Sequence, residues 1–358
     1  MGARRPAAGV ARVNAPFTLA PREARRARPL SGHKELIRGY PRFSAFIRGL
    51  SAFIRGLSAF VRVHPRPAFI RGPRSSAACA AAAADDNLSR FQLEHPMLND
   101  TLFREPRTTG VQTLQQRGRA GGRELTTRRL RLDAGGATTF RQNDEETVVV
   151  LQEGRGTMGA GGQTWTVARN GVFADRATAV YLPPNVELSV RAETPLEAVL
   201  FSTPAPPGGT PAIVTPDQVA VNARGRGNYT REVHNIFIDD PHVRRLMVGE
   251  TYNPPGNWSS FPPHKHDGRD GEPVLEEVYY YRIDPPQGFG QQMIYTSEGE
   301  CVTHAVRDGD TVLLPYGYHP VAAAPGYRLY YLWGMAGEQR KLALFEDPAH
   351  TWIHKAAL

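Results

Sequence analysis

From about residue 123 onward the chain is built of short apolar runs separated by Gly, Asn and Pro turns, a pattern that leaves little room for helices. The first group comprises Leu125–Leu132, Thr147–Leu151, Thr164–Val167, Ala179–Leu182, Glu187–Val190 and Glu197–Phe201. A second group over 245–335 comprises Leu246–Val248, Glu277–Ile283, Gln291–Tyr295, Thr311–Leu314 and Leu329–Trp333. Such runs, bounded by turn formers, predict antiparallel strands closed into sandwiches or barrels. The two groups also echo each other. Val180–Glu187 can be laid over Val312–His319, which puts Glu187 in the place of His319. The first group has no His between His95 and His234, so it cannot build a His-rich site.

The second group can. His264 and His266 flank Lys265, and strand side chains alternate, so the two imidazoles point to one face. Glu277 on the next strand and His319 in Pro315–His319 complete a set of three imidazoles and one carboxylate. That donor set suits a divalent transition ion and can leave positions open for an oxygen-rich ligand. Asp267–Glu276 lies between the His pair and the strand, so Glu272, Glu276 and Glu277 all compete as the carboxylate. Glu277 is preferred because Glu277–Tyr281 reads as the strand itself.

The net charge of +8 conceals a strong asymmetry. Residues 1–84 hold 16 Lys and Arg against two acids, whereas the remainder holds 27 against 33. The globular part is therefore mildly acidic, which argues against a nucleic-acid partner there. No apolar run approaches the ~20 residues of a membrane span. Cys79 and Cys301 form neither a disulfide framework nor a zinc-type pair, which fits a reducing cytoplasm. The segment over 1–88 is expected to be an unstructured Arg/Ala/Pro-rich extension. Its SAFIRGL repeat, Ser44–Leu50 and Ser51–Leu57, also admits a basic amphipathic helix or an organelle-targeting segment.

The His pair after Pro262-Pro263, the Tyr-rich strand and the later Gly309-x5-Pro315-x-Gly317-x-His319 together resemble the two motifs of the cupin superfamily. Gly256–Asp267, Leu275–Tyr281, Gln291–Thr296, Pro315–Pro320, Gly326–Trp333 and Asp347–His350 further resemble the 5-deoxy-glucuronate isomerase family of inositol catabolism. One departure is Phe261, where much of that family is expected to carry Tyr.

The resemblance implies an all-β bicupin of two jelly-roll-like antiparallel barrels. The first, over 89–210, would lack a metal; the second, over 211–358, would bind one through His264, His266, Glu277 and His319. It implies a cytoplasmic, homo-oligomeric enzyme without nucleic-acid or membrane partners. A divalent Zn, Mn or Fe ion would assist aldose–ketose isomerisation of a small sugar acid, 5-deoxy-glucuronate, to 5-dehydro-2-deoxy-gluconate. Tyr279 and Tyr281 share the face of Glu277, so both are candidate catalytic groups, with barrel packing as the competing reading. Lys265 and Arg269 are candidates for gripping the substrate carboxylate. Other readings are a 4-deoxy-hexosulose-uronate isomerase of pectin breakdown, a cupin metal dioxygenase, and a non-enzymatic sugar-binding or storage bicupin.

Overall fold

A computed structural model describes residues 98–356. The expected extension over 1–88, its repeat and Cys79 lie outside the described residues. Every long element is a strand, and only 3-10 turns such as Thr351–Lys355 interrupt them. Among the described residues no helix is long and apolar enough to cross a membrane.

The longest strand, Glu145–Ala160, organises the first half. Its start pairs with Ala179–Leu182 and Leu196–Pro204. Beyond a register shift between Leu151 and Glu153 it pairs instead with Gln163–Arg169 and Leu188–Ala192. One strand thus serves two parts of a nine-stranded sheet, which curls around a core containing Val149, Leu151, Val180, Leu188 and Leu200.

In the second half, Glu276–Asp284 lies between Thr311–Leu314 and Arg328–Ala336, and the latter continues to Leu246–Asn253, Arg231–Phe237 and Ala220–Arg224. A separate four-stranded sheet contains Trp258–Ser259, Val321–Ala323, Gly290–Tyr295 and Cys301–Val306. The boundary between the expected halves needs correcting at both ends. Leu102–Phe103 pairs with Thr311–Leu314 and belongs with the second set of sheets. Ala212–Val214 pairs with Ala179–Leu182 and stays with the first.

The internal echo of the sequence is visible in the pairing. Thr147 faces Leu182 and Glu277 faces Leu314, the register that the overlay of Val180–Glu187 on Val312–His319 requires. Asn185 (φ 67°) and Gly317 (φ 84°), superposed by that overlay, both adopt the left-handed conformation.

The two sets of sheets share one apolar core. Val148, Val150, Tyr181, Val199 and Phe201 from the first pack with Val278, Tyr280, Leu313, Tyr330 and Leu332 from the second. Buried charges cross the same boundary. Glu146 accepts hydrogen bonds from the backbone N–H groups of Arg244, Arg245 and Leu246. Glu276 accepts reciprocally from Arg123, Glu124 and Leu125. Arg169 and Glu250, both 0% exposed, form a two-pronged pair at 2.7 and 3.1 Å. Tyr330 and Tyr252 donate to the same carboxylate at 2.7 and 2.9 Å.

Removing one member of such a pair strands a charge in the interior. Arg169→Met is expected to destabilise the protein by about 3–5 kcal/mol, read as a lower denaturant midpoint. An unchanged midpoint would show that the pair is not needed to join the two halves.

Candidate active site

Three separate elements deliver the imidazoles and the carboxylate. His264 lies on His264–Lys265, which pairs with Phe345–Glu346, and His266 follows directly. Glu277 is the second residue of Glu276–Asp284. His319 follows the turn after Thr311–Leu314, where Gly317 is required. A Cβ there would lie 2.7 Å from the Tyr295 carbonyl oxygen, in a left-handed conformation that L side chains disfavour.

His266, Glu277 and His319 are buried, and their ligand-type atoms lie within 4.8 Å of one another. His264 stands at the edge of this group, its ring 4.9 Å from that of His319. Neighbouring carbonyls fix the tautomers. His266 Nδ1 donates to Leu275 O at 2.7 Å, and His319 Nδ1 donates to Gly317 O at 2.9 Å. In a neutral ring this leaves Nε2 to carry the lone pair, although at His266 the hydrogen bond to Glu277 outweighs burial and raises the imidazole above its ordinary value. His266 Nε2 lies 3.0 Å from Glu277 Oε2 and His319 Nε2 3.3 Å from the same oxygen. His319 Nε2 is buried yet makes no hydrogen bond.

This donor chemistry fits a divalent transition ion, with His264 at hand as a fourth group. Burial alone would raise the Glu277 carboxyl, but the imidazoles of His266 and His319 outweigh it and hold it at about 2. Burial, with the neighbouring His319 and His266, pushes His264 well below its ordinary value. A carboxylate and a neutral imidazole are the forms that bind a cation.

Glu277 and His264 open onto a cavity of about 680 Å³, whose walls include Ser260, Phe261, Tyr279, Tyr331 and Arg231. Tyr279 stacks on Tyr331 with ring centroids 4.3 Å apart, and its hydroxyl lies 3.2 Å from Ser260 Oγ. Burial first, and then the charge of Glu277, raise the Tyr279 phenol well above its ordinary value. It is therefore a hydrogen-bond donor at neutral pH. Phe261 lies on the cavity wall, its ring 5.8 Å from Tyr229 and 6.2 Å from His350.

Three expected roles change. Tyr281 does not reach the cavity. Its hydroxyl donates to Gln292 Oε1 at 2.6 Å, and Gln292 Nε2 donates to His319 O at 3.0 Å, so Tyr281 positions His319. Lys265 alternates away from the imidazoles, as a strand requires, yet it is only 2% exposed. Its ammonium is enclosed by Asp267, Asp270 and Glu272 at 2.8, 2.9 and 2.5 Å. With its charge already neutralised, it is no hand for a substrate carboxylate. Arg269 is exposed, bonds to Glu298 at 3.0 Å and sits over Tyr316. The loop inserted after His266 explains the Lys265 cluster. Asp267 Oδ2 accepts from Gly317 N at 3.1 Å, so the loop ties the His264–His266 strand to the His319 turn. Sequence reasoning missed Ser260 and Tyr331, and the Tyr331 hydroxyl donates to Ser259 Oγ at 2.9 Å.

Residues 101–353 match the family described as KduI/IolB. The chain belongs to the KduI/IolB family. It is 40% identical over 222 residues to a 5-deoxy-glucuronate isomerase of Geobacillus thermodenitrificans, a match covering 60% of this chain and 81% of the relative. It is 36% identical over 231 residues to the enzyme of that name from Bacillus subtilis strain 168, covering 63% and 85%. Among solved structures, an IolB-like protein of Salmonella typhimurium superposes with a TM-score of 0.68 and 35% identity, covering 71% of this chain and 99% of that one. An oxalate decarboxylase of Lactobacillus farciminis (TM-score 0.53, 12% identity, 73% and 90% covered) shares the cupin-like fold alone.

The Lys265 cluster has a signature in acid. Burial would raise the Glu272 carboxyl, but Lys265 and the N–H groups facing it reverse this and hold it at about 2, against an ordinary 4.5. A carboxyl depressed in the folded state stabilises fully above its ordinary value and loses that contribution as pH falls towards the folded one. Denaturant midpoints are expected to drop between about pH 4.5 and 2, and less steeply in Glu272→Gln. Identical slopes would deny the cluster a role.

Proposed function

We propose that this protein is a metal-dependent 5-deoxy-glucuronate isomerase, an aldose–ketose isomerase of inositol catabolism acting in the cytoplasm as a homo-oligomer. The observation that carries the reading is the buried group of His266, Glu277 and His319, with an unbonded Nε2, beside a cavity that Glu277 and His264 line. The relatives named 5-deoxy-glucuronate isomerase support the same substrate. In this reading the two sets of sheets are two cupin barrels, and only the second carries chemistry.

The reaction moves one proton from the hydroxyl-bearing carbon to the adjacent aldehyde carbon and a second from that hydroxyl to the aldehyde oxygen, so no atom is gained or lost. A divalent Zn, Mn or Fe ion held by His264, His266, Glu277 and His319 would supply a Lewis acid for the two neighbouring oxygens. The chain's own groups orient and shield the reacting end. Tyr279, kept protonated, donates a hydrogen bond towards the oxygen on which negative charge develops. Ser260 holds that hydroxyl and Tyr331 holds its ring. Tyr281 and Gln292 keep His319 in place from behind.

Turnover of 5-deoxy-glucuronate followed by NMR tests the reading. The metal-loaded protein is expected to form the keto acid, and a chelator or His319→Ala to abolish both turnover and bound metal measured by elemental analysis. No conversion, or conversion of a 4-deoxy-hexosulose uronate instead, would move the assignment to pectin breakdown. Full activity without metal would remove the proposed site.

Tyr279→Phe removes one buried donor from the cavity wall and is expected to lower kcat by about 10²-fold with little change in KM. An unchanged kcat would make Tyr279 a packing residue.

A further inference from the structure

If the substrate is a sugar acid, something must hold its carboxylate, and Lys265 is already neutralised. This question rests on the isomerase reading, and the cavity offers an answer from a different strand. Arg231–Phe237 alternates along its length. Val233 and Asn235 line the cavity that Glu277, His264 and Tyr279 share, Glu232 and His234 line the pocket behind, and Arg231 borders both. The residue directly opposite Arg231 in the antiparallel pairing is Arg224, which lines the same cavity.

Two like charges facing each other across a strand pair are destabilising unless something neutralises them. Neither Arg224 nor Arg231 forms an ion pair among the described residues. The contrast with other arginines of these sheets is sharp. Arg169 is paired with Glu250, Arg245 with Glu124, Arg107 with Asp308, and Arg282 with Glu197 and Asp308. The third arginine of the cavity, Arg226, is spent on Ile353 O at 2.6 Å and the Tyr229 hydroxyl at 3.2 Å. Of the two acids lining the cavity, Glu277 belongs to the imidazole group, and Glu346 pairs with His354 at 2.7 Å.

The local backbone is shaped around Arg231. Gly225 has φ +74°, and a Cβ there would come 2.7 Å from Arg231 Nη1 and 2.1 Å from Tyr229 O. Arg231 Nη1 donates to that carbonyl at 3.2 Å, which leaves its other guanidinium donors for a ligand. Burial, helped by the charge of Arg224, pushes the guanidinium below its ordinary value, and a bound anion would relieve that cost.

We infer that Arg231, with Arg224 opposite it, forms the carboxylate subsite of the cavity and selects sugar acids over neutral sugars. The distribution of charge then matches a uronic acid. Cation-binding groups stand at one part of the cavity for the carbonyl end, and a planar cation stands at another for the carboxylate end.

The test compares wild type, Arg231→Gln, Arg231→Lys and Arg224→Gln as full-length metal-loaded proteins. Each is assayed with 5-deoxy-glucuronate and with 5-deoxy-glucose, its neutral counterpart. Arg231→Gln is expected to lose about 100-fold in kcat/KM on the acid, mostly through KM, and little on the neutral sugar. Arg231→Lys should recover only part of the loss, and Arg224→Gln should lose about tenfold. Equal losses on both sugars would overturn the inference, because that pattern marks a structural role. Direct titration with D-glucuronate separates this outcome from failure of the isomerase reading. Wild type that binds the uronate without isomerising the 5-deoxy acid ends the isomerase reading, while weaker binding by Arg231→Gln still upholds the subsite. Equal affinity in wild type and Arg231→Gln, or no binding by wild type, overturns the subsite.

Discussion

The structure depends on one strand facing two ways. In Glu276–Asp284, Val278 and Tyr280 enter the core shared by the two halves, whereas Tyr279, Tyr281 and Ile283 enter the interior of the second half beside Glu277. A shift of one residue would exchange these sets and put the Glu277 carboxylate into the apolar seam. The register is therefore pinned heavily. Glu276 is clamped to the backbone of Arg123–Leu125, and Tyr280 donates to Glu197 at 2.8 Å. The same anchors that join the halves thus place Glu277 opposite the two imidazoles.

At the seam the buried carboxylates of Glu146 and Glu250 are met by backbone N–H groups, tyrosine hydroxyls and a guanidinium, so their desolvation is offset. Lys265 is saturated in the same way by three acids. Around the cavity the pattern differs: His319 Nε2, beside Glu277, makes no hydrogen bond, and Arg224 and Arg231 on the wall form no ion pair among the described residues. Unsatisfied groups of opposite preference in one cavity are what a ligand carrying both a chelating end and an anionic end would satisfy.

Much of this was legible in the sequence because the decisive signals are local. Ala179–Leu182 and Thr311–Leu314 were placed to the residue, and Leu246–Val248 and Leu329–Trp333 fell within longer strands. The missed strands are polar or short. Ala220–Arg224 is an edge strand carrying Asn and Arg, and the second half of Glu145–Ala160 is rich in Gly, so neither shows an apolar run. Alternation put Glu277, Tyr279 and Tyr281 on one face but could not say how deep each lies, and depth separates Tyr279 from Tyr281. The ion pairs of Lys265 were not legible because its partners come from a loop whose path no periodicity reveals. Arg231 was overlooked because its significance lies in what it lacks, and a missing partner is visible only in three dimensions.

The asymmetry of the two halves has a physical origin in the same positions. By the shared register, Thr147, Val149 and Leu151 occupy the places of Glu277, Tyr279 and Tyr281, and exposed Glu187 occupies that of His319. In the first half Val149 and Leu151 pack into an apolar core, and Thr147 bonds to Ser202 at 2.9 Å. In the second half the matching residues are groups with hydroxyls and charge, which need partners and so keep the interior from closing into aliphatic packing. An interior filled with Val and Leu gains stability from every contact, whereas one lined with Tyr, His and Glu gives some of it up to keep a cavity. Joined through one apolar seam, the closed half can offset what the open half gives up.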